Sequence, residues 1–122
     1  SIMCAPVLSQ QAAIEALDNG WEDVAMMRDS YRDRRNLLDS AFKEMGIKCF
    51  KPEGAFYAFP DISSTGLTSY EFAMKLLDAE NVACVPGTAF GASGEGFVRC
   101  SYATDIEQLR EAMKRFARFV KG

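Results

Sequence analysis

The chain has 122 residues, of which 48% are hydrophobic, and this is the size and composition of one folded globular domain. Its formal net charge of -3 argues against a nucleic-acid-binding protein, which would need a concentrated basic surface. The sequence contains no histidine, which excludes Ser-His and Cys-His nucleophile pairs and every zinc site that uses histidine.

The lack of targeting signals and the spacing of the cysteines favour a cytoplasmic protein. No apolar run approaches the roughly 20 residues that cross a bilayer, and the start lacks the basic-then-apolar pattern of a signal sequence. The 4 cysteines lie far apart without a C-x-x-C pair, and three of them stand in apolar runs where thiols act as small hydrophobic groups. We expect free thiols, with two disulfides in a secreted domain as the alternative.

The first half of the chain is predicted to be helical. An irregular start, which lacks an initiator methionine as a fragment would, leads into a short helix over residues 9–17 that ends at Asn19-Gly20. Ser9 is the expected N-cap of that helix. Apolar residues then recur at helical spacing over residues 21–45, before a terminating Gly46. We predict a long amphipathic helix, of a length that often bridges two domains. Its apolar positions are Trp21, Val24, Met27, Tyr31, Leu38, Phe42 and Met45.

The same helix carries the one basic cluster of the sequence. Arg32, Arg34 and Arg35 are interleaved with Asp33 and other aspartates, so opposite charges alternate along the chain. Such alternation is typical of a solvated helix face, and we interpret the cluster in that way rather than as an anion-binding patch.

Aromatic residues mark the first predicted strands. Short strands are expected at residues 47–50 and 55–59, separated by a proline- and glycine-containing turn. The aromatic side chains of the second strand are expected to be buried, with Tyr57 on the face opposite to Phe56 and Phe59. One of those faces is expected to line a pocket.

Two capping boxes predict where the later helices begin. They are Thr68-x-x-Glu71 and Thr104-x-x-Glu107, and the helix after the first box is expected to end at Asn81. Short strands are predicted at residues 82–85 and 97–102. This order of elements predicts an α+β fold, in which helices cover a small mixed or antiparallel sheet and a long linking helix precedes it.

A glycine-rich turn connects the last two predicted strands. Its glycines fit neither a phosphate-binding P-loop nor a dinucleotide-binding fingerprint. We expect them to adopt positive φ along a tight path between the strands. They are Gly87, Gly91, Gly94 and Gly96.

Arg99 lies in the apolar strand behind this turn, where a buried guanidinium needs an anion. Alternation places Arg99, Phe97 and Ser101 on one face of the strand. The anion could be a carboxylate of the protein, such as Glu95 or Asp61, or the carboxylate of a substrate. The residues by themselves leave both interpretations of Arg99 open. In addition, no spacing pairs two carboxylates as a general acid and base.

Three motifs, taken in order, carry a family resemblance over essentially the whole chain. They are Pro52-Glu-Gly-Ala-Phe-Tyr-Ala-Phe59, Val82-Ala-Cys-Val-Pro-Gly-Thr-Ala-Phe-Gly91 and Gly94-Glu-Gly-Phe-Val-Arg-Cys-Ser-Tyr-Ala103. Together they resemble the C-terminal small domain of pyridoxal-phosphate-dependent aminotransferases of fold type I, in the aspartate aminotransferase-like branch of class I/II. The resemblance implies that residues 1–20 are the end of the large domain and its link, and that residues 21–122 are the small domain.

The resemblance also implies roles for two residues. Arg99 occupies the position of the arginine that binds the α-carboxylate of the substrate, and Phe56 is a weaker candidate for an aromatic wall of the substrate pocket. The family's Schiff-base lysine lies in a serine-lysine motif of the large domain, and none of the lysines here has that context. We therefore expect no catalytic residue in this chain, no bound pyridoxal phosphate and no activity of the chain by itself.

The implied partners are an amino acid, a 2-oxo acid, the large domain and, for the full-length enzyme, a second subunit. Neither nucleic acid nor a membrane is expected. Three alternatives stay open at this point: a stand-alone amino-acid-binding module without catalysis, the same domain of a related lyase or synthase that uses pyridoxal phosphate, and a purely structural or dimerisation piece.

Overall fold

The computed structural model describes residues 3–122 and shows an α+β fold in that range. Four α-helices and three short strands alternate with 3-10 turns within the described residues. The helices are α1 (Val7–Asn19), α2 (Trp21–Met45), α3 (Ser69–Glu80) and α4 (Ile106–Lys121). The strands are β1 (Tyr57–Ala58), β2 (Val85–Pro86) and β3 (Val98–Ser101). The predicted fold class and the long helix that precedes the sheet are confirmed.

The chain divides into two compact units, with the boundary after Ser30. The first unit contains α1 and the start of α2. Helix α1 begins at Val7, directly after Pro6, whose φ of -58° suits the entry to a helix. Ser9 lies inside this helix, so the predicted cap at Ser9 is wrong. Trp21 and Met27 were predicted on the apolar face of α2, yet they are 65% and 51% exposed. Helical spacing tells which side chains share a face, but it does not tell whether that face is covered.

The second unit, Tyr31–Gly122, contains the sheet. Its strand order is β1-β3-β2, and both pairings are antiparallel, with Tyr57 opposite Ser101 and Val85 opposite Arg99. The strands are shorter than predicted, and the segment at residues 47–50 contributes only an isolated bridge between Lys48 and Asp61. Prolines and glycines that flank these segments interrupt the hydrogen-bond ladder.

The core of this unit lies between the sheet and three helices. Phe116 of α4 is fully buried, and its ring centroid lies 5.6 Å from that of Phe42 and 5.3 Å from that of Phe72. These contacts join α2, α3 and α4 around one centre. Burying each large apolar side chain stabilises the fold by about 1.5–3 kcal/mol. The other helical and strand residues of the core include Leu38, Leu76, Leu109, Met113, Ala58, Val98 and Cys100.

The two predicted capping boxes have different outcomes. Thr68 and Glu71 form the reciprocal box at the start of α3, and Asn81 ends that helix in the left-handed conformation, as predicted. Helix α4 instead begins at Ile106, where the carboxylate of Asp105 accepts hydrogen bonds from the backbone N–H groups of Glu107 and Gln108. Aspartate is the better N-cap, so Thr104 is displaced by its neighbour.

All 4 cysteines are free thiols, which confirms the prediction. Burial raises the pKa of Cys84 to about 11 and raises the pKa of Cys100 as well. These two thiols are therefore poor nucleophiles at neutral pH. Within the described residues no helix is long and apolar enough to cross a membrane.

The glycines of the turn between β2 and β3 serve two different purposes. Gly91 and Gly96 have φ of +125° and +83°, as predicted. Gly87 and Gly94 instead permit a close backbone contact, because a Cβ atom on Gly87 would lie 2.0 Å from the carbonyl oxygen of Gly94. A Cβ atom on Gly94 would likewise lie 2.1 Å from the carbonyl oxygen of Gly87. The expectation of positive φ is wrong for this pair, whose requirement comes from packing rather than from dihedral angles.

We expect Gly87→Ala to destabilise the chain by about 2 kcal/mol or more, because both clashing partners are backbone atoms that cannot rotate away. The measurement is the free energy of unfolding from urea titration, followed by circular dichroism. Gly54→Ala is the matched control, since a Cβ atom at Gly54 meets nothing within 4 Å. Equal unfolding free energies for the two variants would contradict the close contact.

Candidate functional site

Arg99 stands on the central strand of the sheet, on the face turned away from the core. Its neighbours Val98 and Cys100 are buried under the helices, whereas Arg99 itself is half-buried and Ser101 is exposed. The alternation predicted for this strand is therefore confirmed. Because the side chains of a strand alternate, burying Val98 and Cys100 forces Arg99 to the opposite face.

Two aromatic rings lie against the guanidinium of Arg99. Its Cζ atom is 4.2 Å from the ring centroid of Tyr57 and 4.5 Å from that of Phe90, which are cation–π distances. Phe59 continues the cluster, with its ring centroid 5.9 Å from Phe90 and 5.9 Å from Phe97. We call Arg99 and these four aromatic residues the Arg99 site.

The structure corrects the predicted faces of the aromatic strand. Tyr57 and Phe59 both belong to the Arg99 site, and they are two residues apart, as side chains on one face of a strand must be. Phe56 contacts Tyr57 and stacks on Tyr31 at 6.1 Å. All three rings were predicted to be buried, but they are between 36% and 39% exposed. The predicted burial is therefore wrong for all three rings.

No carboxylate of the described residues pairs with Arg99, and the guanidinium makes no hydrogen bond within residues 3–122. The two predicted protein partners are engaged elsewhere. Glu95 accepts hydrogen bonds from the backbone N–H and the hydroxyl of Ser69, at 2.8 and 3.0 Å, and from the backbone N–H of Gly96. Asp61 accepts from the backbone N–H and the hydroxyl of Ser63. The guanidinium donors of Arg99 are thus available to an external anion.

These hydrogen bonds also hold both carboxylates in the charged form. The backbone N–H of Ser69 lowers the pKa of Glu95 most strongly, and the hydroxyl of Ser63 lowers the pKa of Asp61. Glu95 thereby ties the glycine-rich turn to the start of α3, since Ser69 is the first residue of that helix.

Tyr102 holds the loop that carries Phe56, a role that the sequence did not reveal. Its hydroxyl donates to the carbonyl of Ala55 at 3.0 Å, and its backbone N–H donates to the carbonyl of Phe56 at 2.9 Å. Ala55 has a φ of +59°, which is unfavourable for a residue with a Cβ atom. The surrounding hydrogen bonds therefore impose this conformation and fix the position of Phe56.

Two arginines of α2 donate hydrogen bonds to backbone carbonyls on either side of the Arg99 site. Nη1 of Arg34 donates to the carbonyls of Tyr102 and Thr104, at 3.3 and 3.0 Å, directly after β3. Nη1 of Arg35 donates to the carbonyl of Pro52 at 3.2 Å, ahead of Phe56. The interpretation of this cluster as a purely solvated face is wrong for these two residues. Their targets are backbone carbonyls from distant parts of the chain, and no sequence pattern marks them.

The described residues fit a bound carboxylate but not the covalent attachment of pyridoxal phosphate. A Schiff-base lysine is activated by burial or by a neighbouring cation, whereas every lysine of this chain is exposed. The described residues also contain no group of three or more side chains that could hold a metal ion. The site can bind and orient an anion.

The chain matches a known protein family over most of its length. The family model described as "Aminotransferase class I and II" matches residues 1–116. The chain belongs to this aminotransferase family. It is 57% identical over 120 residues to YugH of Bacillus subtilis (strain 168), whose name places it among the aminotransferases, and the match covers 98% of this chain and 31% of that protein. It is 48% identical over 120 residues to the aspartate aminotransferase of Pyrococcus abyssi (strain GE5 / Orsay), with 97% of this chain and 31% of the relative covered.

Solved structures agree with the sequence match. The aromatic aminotransferase from Pyrococcus horikoshii OT3 superimposes with a TM-score of 0.88 at 50% identity, over 92% of this chain and 30% of that one. The aspartate aminotransferase from Thermus thermophilus, solved with maleate, gives a TM-score of 0.80 at 44% identity, over 88% of this chain and 28% of that one. The chain thus spans about 30% of the length of the curated relatives it matches and is a fragment of an aminotransferase.

Glu95→Gln should lower the urea midpoint of the chain at pH 7, because the charged carboxylate accepts three hydrogen bonds. The pKa of Glu95 is lowered on folding, so its contribution is present above the unfolded pKa of about 4.3 and is lost as the pH falls through the lower folded value. The difference between the two proteins should therefore shrink steadily below about pH 4.

The control for this comparison is Glu44→Gln, which removes the same charge from an exposed position on α2. It should shift the midpoint less at pH 7. A Glu95→Gln midpoint shift that is the same at pH 7 and pH 3 would show that the charge of Glu95 contributes nothing to stability.

Proposed function

We propose that this chain is the substrate-binding C-terminal small domain of a pyridoxal-phosphate-dependent aminotransferase, and that Arg99 binds the α-carboxylate of the amino acid and of the 2-oxo acid. The observation that carries the proposal is a half-buried guanidinium on the central strand that no protein carboxylate neutralises. An arginine in such a position can form two parallel charge-assisted hydrogen bonds with a carboxylate.

The names of the relatives support recognition of the α-carboxylate in particular. One relative is an aspartate aminotransferase and a structural neighbour is an aromatic aminotransferase. The side chains of aspartate and of aromatic amino acids differ in charge and size, but the α-carboxylate is common to them. A single arginine on the sheet can therefore serve substrates whose side chains are selected elsewhere in the enzyme.

Arg99 contributes orientation rather than bond making. Two-point binding of the carboxylate fixes the position of the substrate's Cα atom, which lowers the entropic cost of reaching a reactive geometry. Pyridoxal phosphate, when bound to the full-length enzyme, supplies the electron sink for amino-group transfer. Phe56 is proposed as an aromatic wall beside the substrate, at a position fixed by Tyr102 and the strained Ala55.

The domain assignment, the location and the assembly are parts of the same proposal. Residues 1–20 are proposed as the end of the large domain and its link, and residues 21–122 as a small domain that closes over the substrate and excludes water. We further propose a cytoplasmic homodimer for the full-length enzyme, without nucleic-acid or membrane partners. The amino-acid metabolism in which it takes part follows from the proposed reaction.

Replacing Arg99 by alanine in the full-length enzyme should lower kcat/KM about 100-fold or more, because the substrate carboxylate then loses two charge-assisted hydrogen bonds. The assay is steady-state amino transfer from L-aspartate or L-phenylalanine to 2-oxoglutarate. Arg99→Lys keeps the charge but not the planar fork, so it should be intermediate.

Arg110→Gln is the control, since Arg110 is an exposed residue of α4 that pairs with Glu107. It should leave kcat/KM within about twofold, as expected of a surface ion pair. If Arg99→Ala also stays within twofold, the carboxylate-binding role is wrong.

The isolated chain should be inactive and should not form a specific bond with the cofactor, because all its lysines are exposed and none is activated by burial. The measurement is incubation with pyridoxal phosphate, reduction with borohydride and peptide mapping by mass spectrometry. Stoichiometric labelling of one lysine would contradict the assignment, whereas traces spread over several lysines agree with it. Selective amino-acid binding by the isolated chain without cofactor, measured by calorimetry, would instead favour a stand-alone binding module.

A further inference from the structure

We propose that Tyr57 and Phe90 form an aromatic clamp that compensates the charge of Arg99 and fixes its orientation while leaving its N–H donors free for a carboxylate. The proposal rests on the carboxylate-binding function of Arg99 and adds two positioning residues to it. A protein carboxylate can provide such compensation, and here it is absent from the described residues.

The two rings reach Arg99 from opposite sides of the central strand. Tyr57 lies on β1, opposite Ser101, whereas Phe90 ends the 3-10 turn that follows β2, the strand whose Val85 lies opposite Arg99. The Cζ atom of Arg99 is 4.2 Å from one ring centroid and 4.5 Å from the other. In the strand order β1-β3-β2, the two rings therefore come from the segments on either side of the strand that carries Arg99.

The electrostatics of this arrangement differ from those of an ion pair. An aromatic face carries partial negative charge and attracts a cation, but it occupies none of the guanidinium N–H groups in the plane. A protein carboxylate would occupy those same N–H groups and compete with the substrate. Because no carboxylate of the described residues takes its N–H groups, Arg99 can present them to a planar carboxylate in two-point geometry.

The exposure of Phe90 argues that its position serves the site rather than the core. Phe90 is 52% exposed and touches Phe59, which is itself 36% exposed, so neither ring belongs to the buried core. The backbone that places Phe90 is held tightly, because Gly87 at the start of the same turn packs directly on Gly94. The turn therefore positions the exposed ring of Phe90 against the guanidinium and thereby helps to orient Arg99.

The test uses steady-state kinetics of the full-length enzyme with L-aspartate or L-phenylalanine as donor and 2-oxoglutarate as acceptor. Phe90→Leu and Tyr57→Leu should each raise the KM of the donor roughly three- to tenfold while kcat stays within about twofold, because Arg99 keeps its charge and its N–H donors, so that the substrate binds more weakly but is still held at two points once bound. Tyr57→Phe, which restores the ring, should recover most of the loss seen in Tyr57→Leu.

Phe50→Leu is the matched control, since Phe50 is 83% exposed and has no ring or arginine partner in the described part of the chain. It should leave KM unchanged. In the Arg99→Ala background, Phe90→Leu should have no further effect on KM, because the clamp acts only through Arg99.

The outcomes separate the clamp from the proposed function. If Arg99→Ala impairs the enzyme while Phe90→Leu and Tyr57→Leu leave KM unchanged, the clamp is overturned and the carboxylate-binding role stands. If the leucine variants lower only kcat together with the melting temperature, the rings are structural and the clamp is again overturned. If Arg99→Ala has no effect, the proposed function itself fails.

Discussion

The alternation of side chains along β3 is the constraint on which the site depends. Val98 and Cys100 are buried beneath the helices, and their burial commits Arg99 to the other face of the sheet. A shift of the strand by one residue would bury a guanidinium in the apolar core and expose two core residues. The hydrophobic packing of one face therefore sets the position of the charged group on the other.

The segments around Arg99 are fixed by contacts with parts of the chain that are distant in sequence. Tyr102 binds the backbone at Ala55 and Phe56, and Arg34 binds the carbonyls that follow β3. Glu95 attaches the glycine-rich turn to the start of α3. A guanidinium can select a carboxylate by geometry only if its own position is well defined, and these contacts hold the backbone segments that surround it.

Arg99 has aromatic rings in place of a counter-ion, which suits its proposed role of binding one carboxylate after another. The ring faces compensate part of its charge without occupying its hydrogen-bond donors. Such a group can bind and release successive carboxylates without breaking an internal ion pair each time. In the proposed function, the same arrangement lets this domain set the orientation of a substrate.

The sequence by itself determined the α+β order of elements, the ends of α3 at Thr68 and Asn81, the two faces of β3 and, through three ordered motifs, the family. These features depend on local propensity, capping and alternation, which neighbouring residues fix. Only the tertiary structure decided that Tyr57 and Phe90 flank Arg99, that Glu95 and Asp61 do not pair with it, and that Gly87 packs on Gly94. It also decided that Arg34 and Arg35 bind backbone carbonyls rather than water alone. These are contacts between distant segments, and periodicity along a chain records which face a residue occupies but not what that face meets.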